Sequence, residues 1–460
     1  MSVNDDYDDD HEDESPRDAE ELDPEALKEA EAAGAAVGDD PDIDTQPVPG
    51  GSQAADVPGP PPALPTVDDV ISGRVPVLLV HKSHQLWQRV PQALGVARRV
   101  TGGRIGTGAV ARLPRMSPDS ARDFLRSCTH ASLRVADPEV FALPQTGSPA
   151  KPIPSTSKRH YPWATGIPDP QAPEADKEQW AHEVINAQIL AGANVLLSPT
   201  GWVTDQNAVR ALREVMSWVV RTRRVLGPEV DFFVNLTLAG GWLTNPQLRQ
   251  VLLNEMVEST ERLWYIRVRW PIVDPRYGQL IDPGMLDGYK DLAATARLEE
   301  KVLLLPNSGL TGWFATALGA TGFSTGTSWP EQAFAEERKM GSTPGRPKPP
   351  AIQRYFERSV LHPLPWDDAQ ALSQVAGHVA CQCRYCRSLR ADGYEKSVAS
   401  SHYLVRVARL VDELGNVDRR TEALRIVRAA RAFVTTLPAT HALTGAWLPG
   451  HLAPWEARLL

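Results

Sequence analysis

A chain of 460 residues, 42% of them hydrophobic, is long enough to bury a full core, either as one large domain with an appendage or as two domains of ordinary size. The formal charge of -9 averages two unlike parts: residues 1 to 65 hold 20 Asp and Glu against only Arg17 and Lys28, whereas the other 395 residues hold 46 Lys and Arg against 37 Asp and Glu. Only four cysteines occur, three of them within six residues, which excludes a secreted disulfide framework, and no apolar run approaches the ~20 residues that span a bilayer. A soluble, cytoplasmic protein with a basic body is expected, and that charge permits a polyanionic partner such as RNA or DNA, in a homo- or hetero-oligomer or as a single chain.

Residues 1 to 65 are acidic, then Ala-rich, then Pro/Gly-rich, with Tyr7 as the one aromatic. Such a segment cannot bury enough surface to offset its ordering entropy, so it reads as a disordered tail. Order is expected to begin at Val75-Pro-Val-Leu-Leu-Val80, a short apolar run with the pattern of a buried strand. Similar runs recur at Leu133 to Ala136, Asn194 to Ser198, Asp231 to Leu238, Leu263 to Arg269, Val302 to Leu305 and Gly322-Phe323, mostly separated by segments of helical periodicity. Strands alternating with helices imply parallel pairing. The pattern predicts a TIM-like (β/α)8 barrel over 66–368, with seven strands read securely and an eighth unplaced. Glycines 192 and 319 suit helix C-caps, and Asn245-Pro246 suits a helix start.

Gly102-Gly-Arg-Ile-Gly-Thr-Gly108 imitates a dinucleotide fingerprint without the strand before it or the helix after it. It reads as a hairpin loop, with Arg98, Arg99, Arg104, Arg112 and Arg115 available to phosphates. Two long segments, Leu143 to Glu174 with Lys158-Arg-His-Tyr-Pro-Trp163 and Glu331 to Pro350 with Arg338, Lys339, Arg346 and Lys348, read as surface loops or as basic flaps.

From 369 to 460 a zinc-binding helical subdomain is expected. Cys381-Gln-Cys383-Arg-Tyr-Cys386 presents three soft ligands in a compact turn, and Zn2+ takes four tetrahedral thiolate or imidazole ligands. His402 supplies the fourth, with Ser400 and Ser401 as caps that would place it in the first turn of a helix; His378 is the competitor. Four protein ligands leave no open position, which makes the metal structural. Leu404, Val407, Val411 and Leu414 mark an apolar helix face, and a last helix is expected from Thr421. Cys128, alone, reads as a core residue.

A CxCxxC followed by a histidine after an α/β barrel resembles the tRNA-guanine transglycosylases and their paralogues, which exchange guanine for 7-deazaguanines in tRNA or DNA. Leu304-Leu-Pro-Asn-Ser-Gly-Leu-Thr-Gly-Trp313 with Ala317-Leu-Gly-Ala-Thr-Gly-Phe323 is similar to the family's last strand, turn and helix, and Leu133-Arg-Val-Ala-Asp137 to the strand end that carries an aspartate. The resemblance implies acid/base work for Asp137 on the base and places Ser324, a neutral residue, where the family has its nucleophilic aspartate. It implies a substrate-lining set of Thr200, Asn235, Thr237 and Arg269 at the strand ends, where barrel active sites form. Three readings follow: a base-exchange transglycosylase acting on a purine or 7-deazapurine nucleotide, an inert zinc-containing paralogue that binds nucleic acid or a partner, and a phosphate-binding barrel using Gly319 to Ser328 as a backbone cradle.

Overall fold

The computed structural model describes residues 63–82, 89–145, 160–271, 278–336, 353–415 and 418–460. The acidic segment 1–65 lies outside the described residues but for its last three, as do 146–159 and 337–350 of the two long basic segments, Lys158, Arg338, Lys339, Arg346 and Lys348 among them.

The apolar runs form a parallel sheet of Val77–His81 (β1), Gly106–Arg112 (β2), Leu133–Asp137 (β3), Leu196–Leu197 (β4), Trp202–Val203 (β5), Phe232–Leu238 (β6), Leu263–Val268 (β7), Val302–Leu305 (β8) and Gly322–Thr325 (β9). Strand order is β3-β2-β1-β9-β8-β7-β6-β4, with β5 also on β6. β4 and β5 are two halves of one position: Leu196 pairs with Phe232 and Trp202 with Thr237. One extra residue therefore bulges out around Pro199 and Thr200. The gap between β3 and β4 is bridged by Val135 against Val195 and by Asn194, whose N–H donates to the Arg134 carbonyl at 3.0 Å while its Oδ1 accepts from Arg134 N–H at 2.6 Å. The result is a nearly closed eight-stranded barrel, the TIM-like architecture expected.

The eighth strand is β2, in the stretch read as a glycine hairpin. Its inward positions follow period two, and two of them are Gly106 and Gly108. A Cβ on Gly108 would overlap the Leu79 side chain and lie 2.9 Å from the Leu133 carbonyl oxygen; one on Gly106 would lie 2.9 Å from Val70. Val70 comes from helix Val67–Ile71 (α1), which closes the bottom of the barrel against Val77, Leu79, Val135, Leu197, Phe233 and Leu304. The glycines make room for that interior packing, so the strand lacks the apolar alternation that marks its neighbours.

Helices Arg89–Val100 (α2), Pro118–Ser127 (α3), Glu174–Leu190 (α4), Ala208–Leu226 (α5), Pro246–Glu258 (α6), Pro283–Leu298 (α7) and Gly309–Leu318 (α8) follow the strands. Asn245 caps α6 as expected, its Oδ1 accepting from the N–H groups of Gln247 and Leu248. Glycines 192 and 319 follow α4 and α8 with φ of 84° and 134°, backbone that favours glycine. The segment Gly319 to Ser328 contains β9, so its ends lie on opposite faces of the barrel and cannot wrap one phosphate.

Beyond β9 the chain makes a hairpin, Arg354–Glu357 (β10) with His362–Pro365 (β11), then Trp366–Leu372 (α9), Arg384–Asp392 (α10) and Lys396–Glu413 (α11). The expected boundary at 369 falls inside α9. Helix α11 packs on α2, on β1 and on α8 and so takes the eighth helical position of the barrel. One set of its residues, Leu404, Val407 and Val411, joins the barrel core, while Val398, Ala399 and Val405 join a second core with Tyr355, Leu364, Trp366, Cys383 and Cys386. The cysteine segment is thus inserted between the last strand and the last barrel helix. Arg419–Thr435 (α12), capped by Asp418 and not begun at Thr421, and Leu452–Leu459 (α13) complete the chain. No helix among the described residues is long and apolar enough to cross a membrane.

Replacing Gly108 by valine forces a branched side chain into the Leu79 and Leu133 contacts. We expect a loss of about 1–3 kcal/mol of stability, read as a lower urea midpoint at unchanged slope.

Candidate metal centre and barrel mouth

Cys381, Cys383, Cys386 and His402 converge so that their ligand atoms all lie within 4.8 Å of one another. Cys383 Sγ lies 3.4 Å from Cys386 Sγ, and His402 Nδ1 lies 3.0, 3.4 and 4.0 Å from the sulfurs of Cys386, Cys383 and Cys381. Ligands at ~2.0–2.3 Å from a tetrahedral ion stand roughly 3.5–3.8 Å apart, so the donor set fits a metal such as zinc. The orientation of the imidazole fits as well. His402 Nε2–H donates to the Phe356 carbonyl at 2.9 Å, which leaves the Nδ1 lone pair facing the sulfurs. Tyr355 stacks on the imidazole with centroids 4.4 Å apart, and its hydroxyl lies 3.1 Å from Cys386 Sγ. Arg390 donates twice to the Cys381 carbonyl, at 3.1 Å each.

His402 is not in a first helical turn. It sits well inside α11, and Ser401, expected to cap, instead donates to the Ser397 carbonyl one turn back at 2.9 Å. His378 is held elsewhere, with Nε2 3.3 Å from Glu357 Oε2. Cys128 is fully buried, and burial pushes its thiol up to about 12.

The C-terminal strand ends carry a second constellation. Along β1, β2, β3, β6, β7 and β9 the inward residues turn polar towards the top: His81, Arg112, Asp137, Asn235 and Thr237, Arg267 and Ser324. Arg267, 1% exposed, is the hub. Its Nη2 donates to Asp137 Oδ2, its Nε to Asn307 Oδ1 at 2.9 Å and its Nη1 to Thr237 Oγ1 at 3.3 Å, and its guanidinium lies 4.6 Å from the Phe141 ring centroid. The other Asp137 oxygen accepts from Glu139 N–H at 2.9 Å. Asn307 N–H donates to Ser324 Oγ at 2.6 Å, and the same oxygen is hydrogen-bonded to His81 Nε2, also at 2.6 Å. Burial holds His81 well below the usual histidine range, with Arg112 and Arg267 adding to it, so the ring is neutral.

Asp137, Thr237 and Ser324 thus belong to one hydrogen-bonded network, centred on three residues that sequence reasoning missed, His81, Arg267 and Asn307. Asn235 neighbours it: its N–H donates to Ser198 Oγ at 2.9 Å and its Nδ2 to the Ser198 carbonyl at 3.3 Å. Among the described residues, Thr200, Asn235, Tyr265 and His81 each leave a buried side-chain atom without a partner: Oγ1, Oδ1, the hydroxyl oxygen and Nδ1. Arg269 stands apart on the rim, 3.6 Å from Glu336, lining a cavity of about 380 Å3 with Trp202, Asp205, Gly240 and Trp270. The arginines offered to phosphates are largely engaged: Arg104 pairs with Asp412 at 2.5 Å, and Arg112 and Arg115 both pair with Glu139, at 2.5 and 2.8 Å.

The fold and these sites define a TIM-like barrel protein with a Cys3His cluster that joins an inserted cysteine segment to its eighth helix. No protein-family model matches the chain, and no curated protein does.

Two outcomes follow. Purified protein should carry about one zinc per chain by metal analysis, and Cys383→Ser should abolish it and lower the melting temperature. For Glu139, burial alone would raise the carboxyl; Arg112 and Arg115 outweigh it and bring it to about 2, below the ordinary 4.5. A depressed carboxylate stabilises the fold above its unfolded pKa, and the gain, roughly 3 kcal/mol, is lost as pH falls from 4.5 towards 2. Glu139→Gln should flatten that part of the stability curve, measured by denaturant titration at stepped pH.

Proposed function

We propose that the barrel mouth binds the purine or 7-deazapurine base of a nucleotide in nucleic acid, as the resemblance to the transglycosylases implies. The four unpartnered polar atoms of Thr200, Asn235, Tyr265 and His81 carry this reading. Buried polar groups are nearly always paired, and a set left open inside the barrel, from mid-strand at Tyr265 and Asn235 to the strand ends at His81 and Thr200, suits a ligand with donors and acceptors along its edge. Zinc in the Cys3His cluster would be structural, tying hairpin β10–β11 and α10 to the eighth barrel helix, since four protein donors leave it no position for a substrate.

A second reading, an inert paralogue that binds without exchanging the base, is favoured by one observation. Asp137 is ion-paired with Arg267, and the nucleophile position holds Ser324, whose hydroxyl is taken up by Asn307 and His81. A serine cannot match a carboxylate in stabilising an oxocarbenium-like centre.

Titration calorimetry with guanine and 7-deazaguanine tests the binding. We expect saturable heat for wild type and an affinity about tenfold weaker for Asn235→Leu, which removes one polar partner; absence of heat with either base contradicts the proposal. Incorporation of labelled guanine into tRNA or duplex DNA separates the two readings. Exchange that Asp137→Asn abolishes marks an enzyme, and binding without exchange marks the inert paralogue.

A further inference from the structure

The face opposite the mouth carries a recess of about 390 Å3. It lies where β7, β8 and β9 begin and α7 and α8 end, between the barrel floor at Gly73 and the start of α12. Arg262, Arg297, Lys301, Arg419 and Arg420 line it, against Glu300 and Asp418. Among the described residues none of the five cations makes an ion pair. Lys301 donates to the carbonyls of Ser259 and Glu261 at 2.6 and 3.1 Å, Arg420 to that of Leu459 at 2.9 Å and Arg419 to that of Gly415 at 3.3 Å. The Asp418 carboxylate caps α12 at Thr421 N–H, 3.1 Å away.

The simplest alternative is that these cations complement the C-terminal ends of α7 and α8. Magnitudes argue against that as the whole account. Two helix C-termini contribute roughly one negative charge between them, and the N-terminus of α12 returns about half a positive one. With five cations and two carboxylates in the lining, Glu299 acting on Lys301 from beside it and Glu261 already paired with Arg223, the recess keeps an excess of more than one positive charge. Burial lowers the Lys301 and Arg419 pKa values; at Lys301 the Glu299 and Glu261 carboxylates oppose that shift and Arg262 adds to it.

We propose that this recess is a binding site for a phosphate group, with Arg297 and Arg419 as its principal ligands. Guanidinium groups match phosphate oxygens in planar, two-point fashion, and the recess has room for a phosphate with part of the molecule that bears it. The site is independent of the reading of the mouth, which lies at the other ends of the same strands. A phosphate in a nucleic-acid backbone and one on a small phosphorylated molecule share the required chemistry.

The test is titration calorimetry of the full-length protein with inorganic pyrophosphate at low ionic strength, comparing wild type with Arg297→Gln, Arg297→Lys, Arg419→Gln and, as control, Arg425→Gln, which is on α12 but does not line the recess. We expect one saturable site in wild type, at least tenfold weaker binding in both recess glutamine variants, partial recovery in Arg297→Lys and no change in the control. No saturable binding, or equal binding in all variants, overturns the proposal. Where the site is found, displacement by a 12-nucleotide oligonucleotide assigns it to a nucleic-acid backbone, and displacement by small phosphates alone to a phosphorylated small molecule.

Discussion

The barrel mouth is organised by the need to keep one buried guanidinium satisfied. Arg267 is 1% exposed, and a charge taken that far from water is tolerated only when paired and hydrogen-bonded. Its partners come from three other strand ends: Asp137 from β3, Thr237 from β6 and Asn307 from the turn after β8. Asn307 has φ of 53°, left-handed backbone, and carries the chain of contacts on to Ser324 and His81 across β9 and β1. The top of the barrel is therefore set largely by one polar network, and the groups most suited to chemistry are those that hold it together.

The cysteine cluster is mechanically close to this network. His402 and Tyr403 are consecutive on α11; the first faces the sulfurs and the second meets Thr325 Oγ1 at 2.7 Å, one residue beyond Ser324. Trp313 of α8 donates its indole N–H to the Leu410 carbonyl on the same helix at 2.9 Å. A metal that fixes α11 at His402 thus also steadies the strand behind the mouth, which gives a physical reason for a structural ion at this place in the chain.

Much of this was legible in the sequence because it rested on local chemistry. Continuous apolar runs marked the buried parallel strands, and the cysteine spacing with a later histidine marked the cluster. What escaped did so for identifiable reasons. β2 hid behind Gly106 and Gly108, whose missing side chains are its packing solution. His402 was chosen correctly but put at a helix start, because two serines before it imitate a cap when their partners are unknown. Arg267 left a signal that went unread: in Leu263-Trp-Tyr-Ile-Arg-Val268 it shares the inward parity of Leu263 and Tyr265, and a lone charge on that face requires a buried counter-charge such as Asp137.

The most direct test of the account is a crystal structure of the protein with guanine or a guanine-bearing oligonucleotide. The account predicts the base at the barrel mouth with its edge hydrogen-bonded to Thr200 Oγ1, Asn235 Oδ1 or the Tyr265 hydroxyl. A mouth in which water satisfies those atoms at saturating ligand, with the base bound elsewhere or not at all, would contradict it.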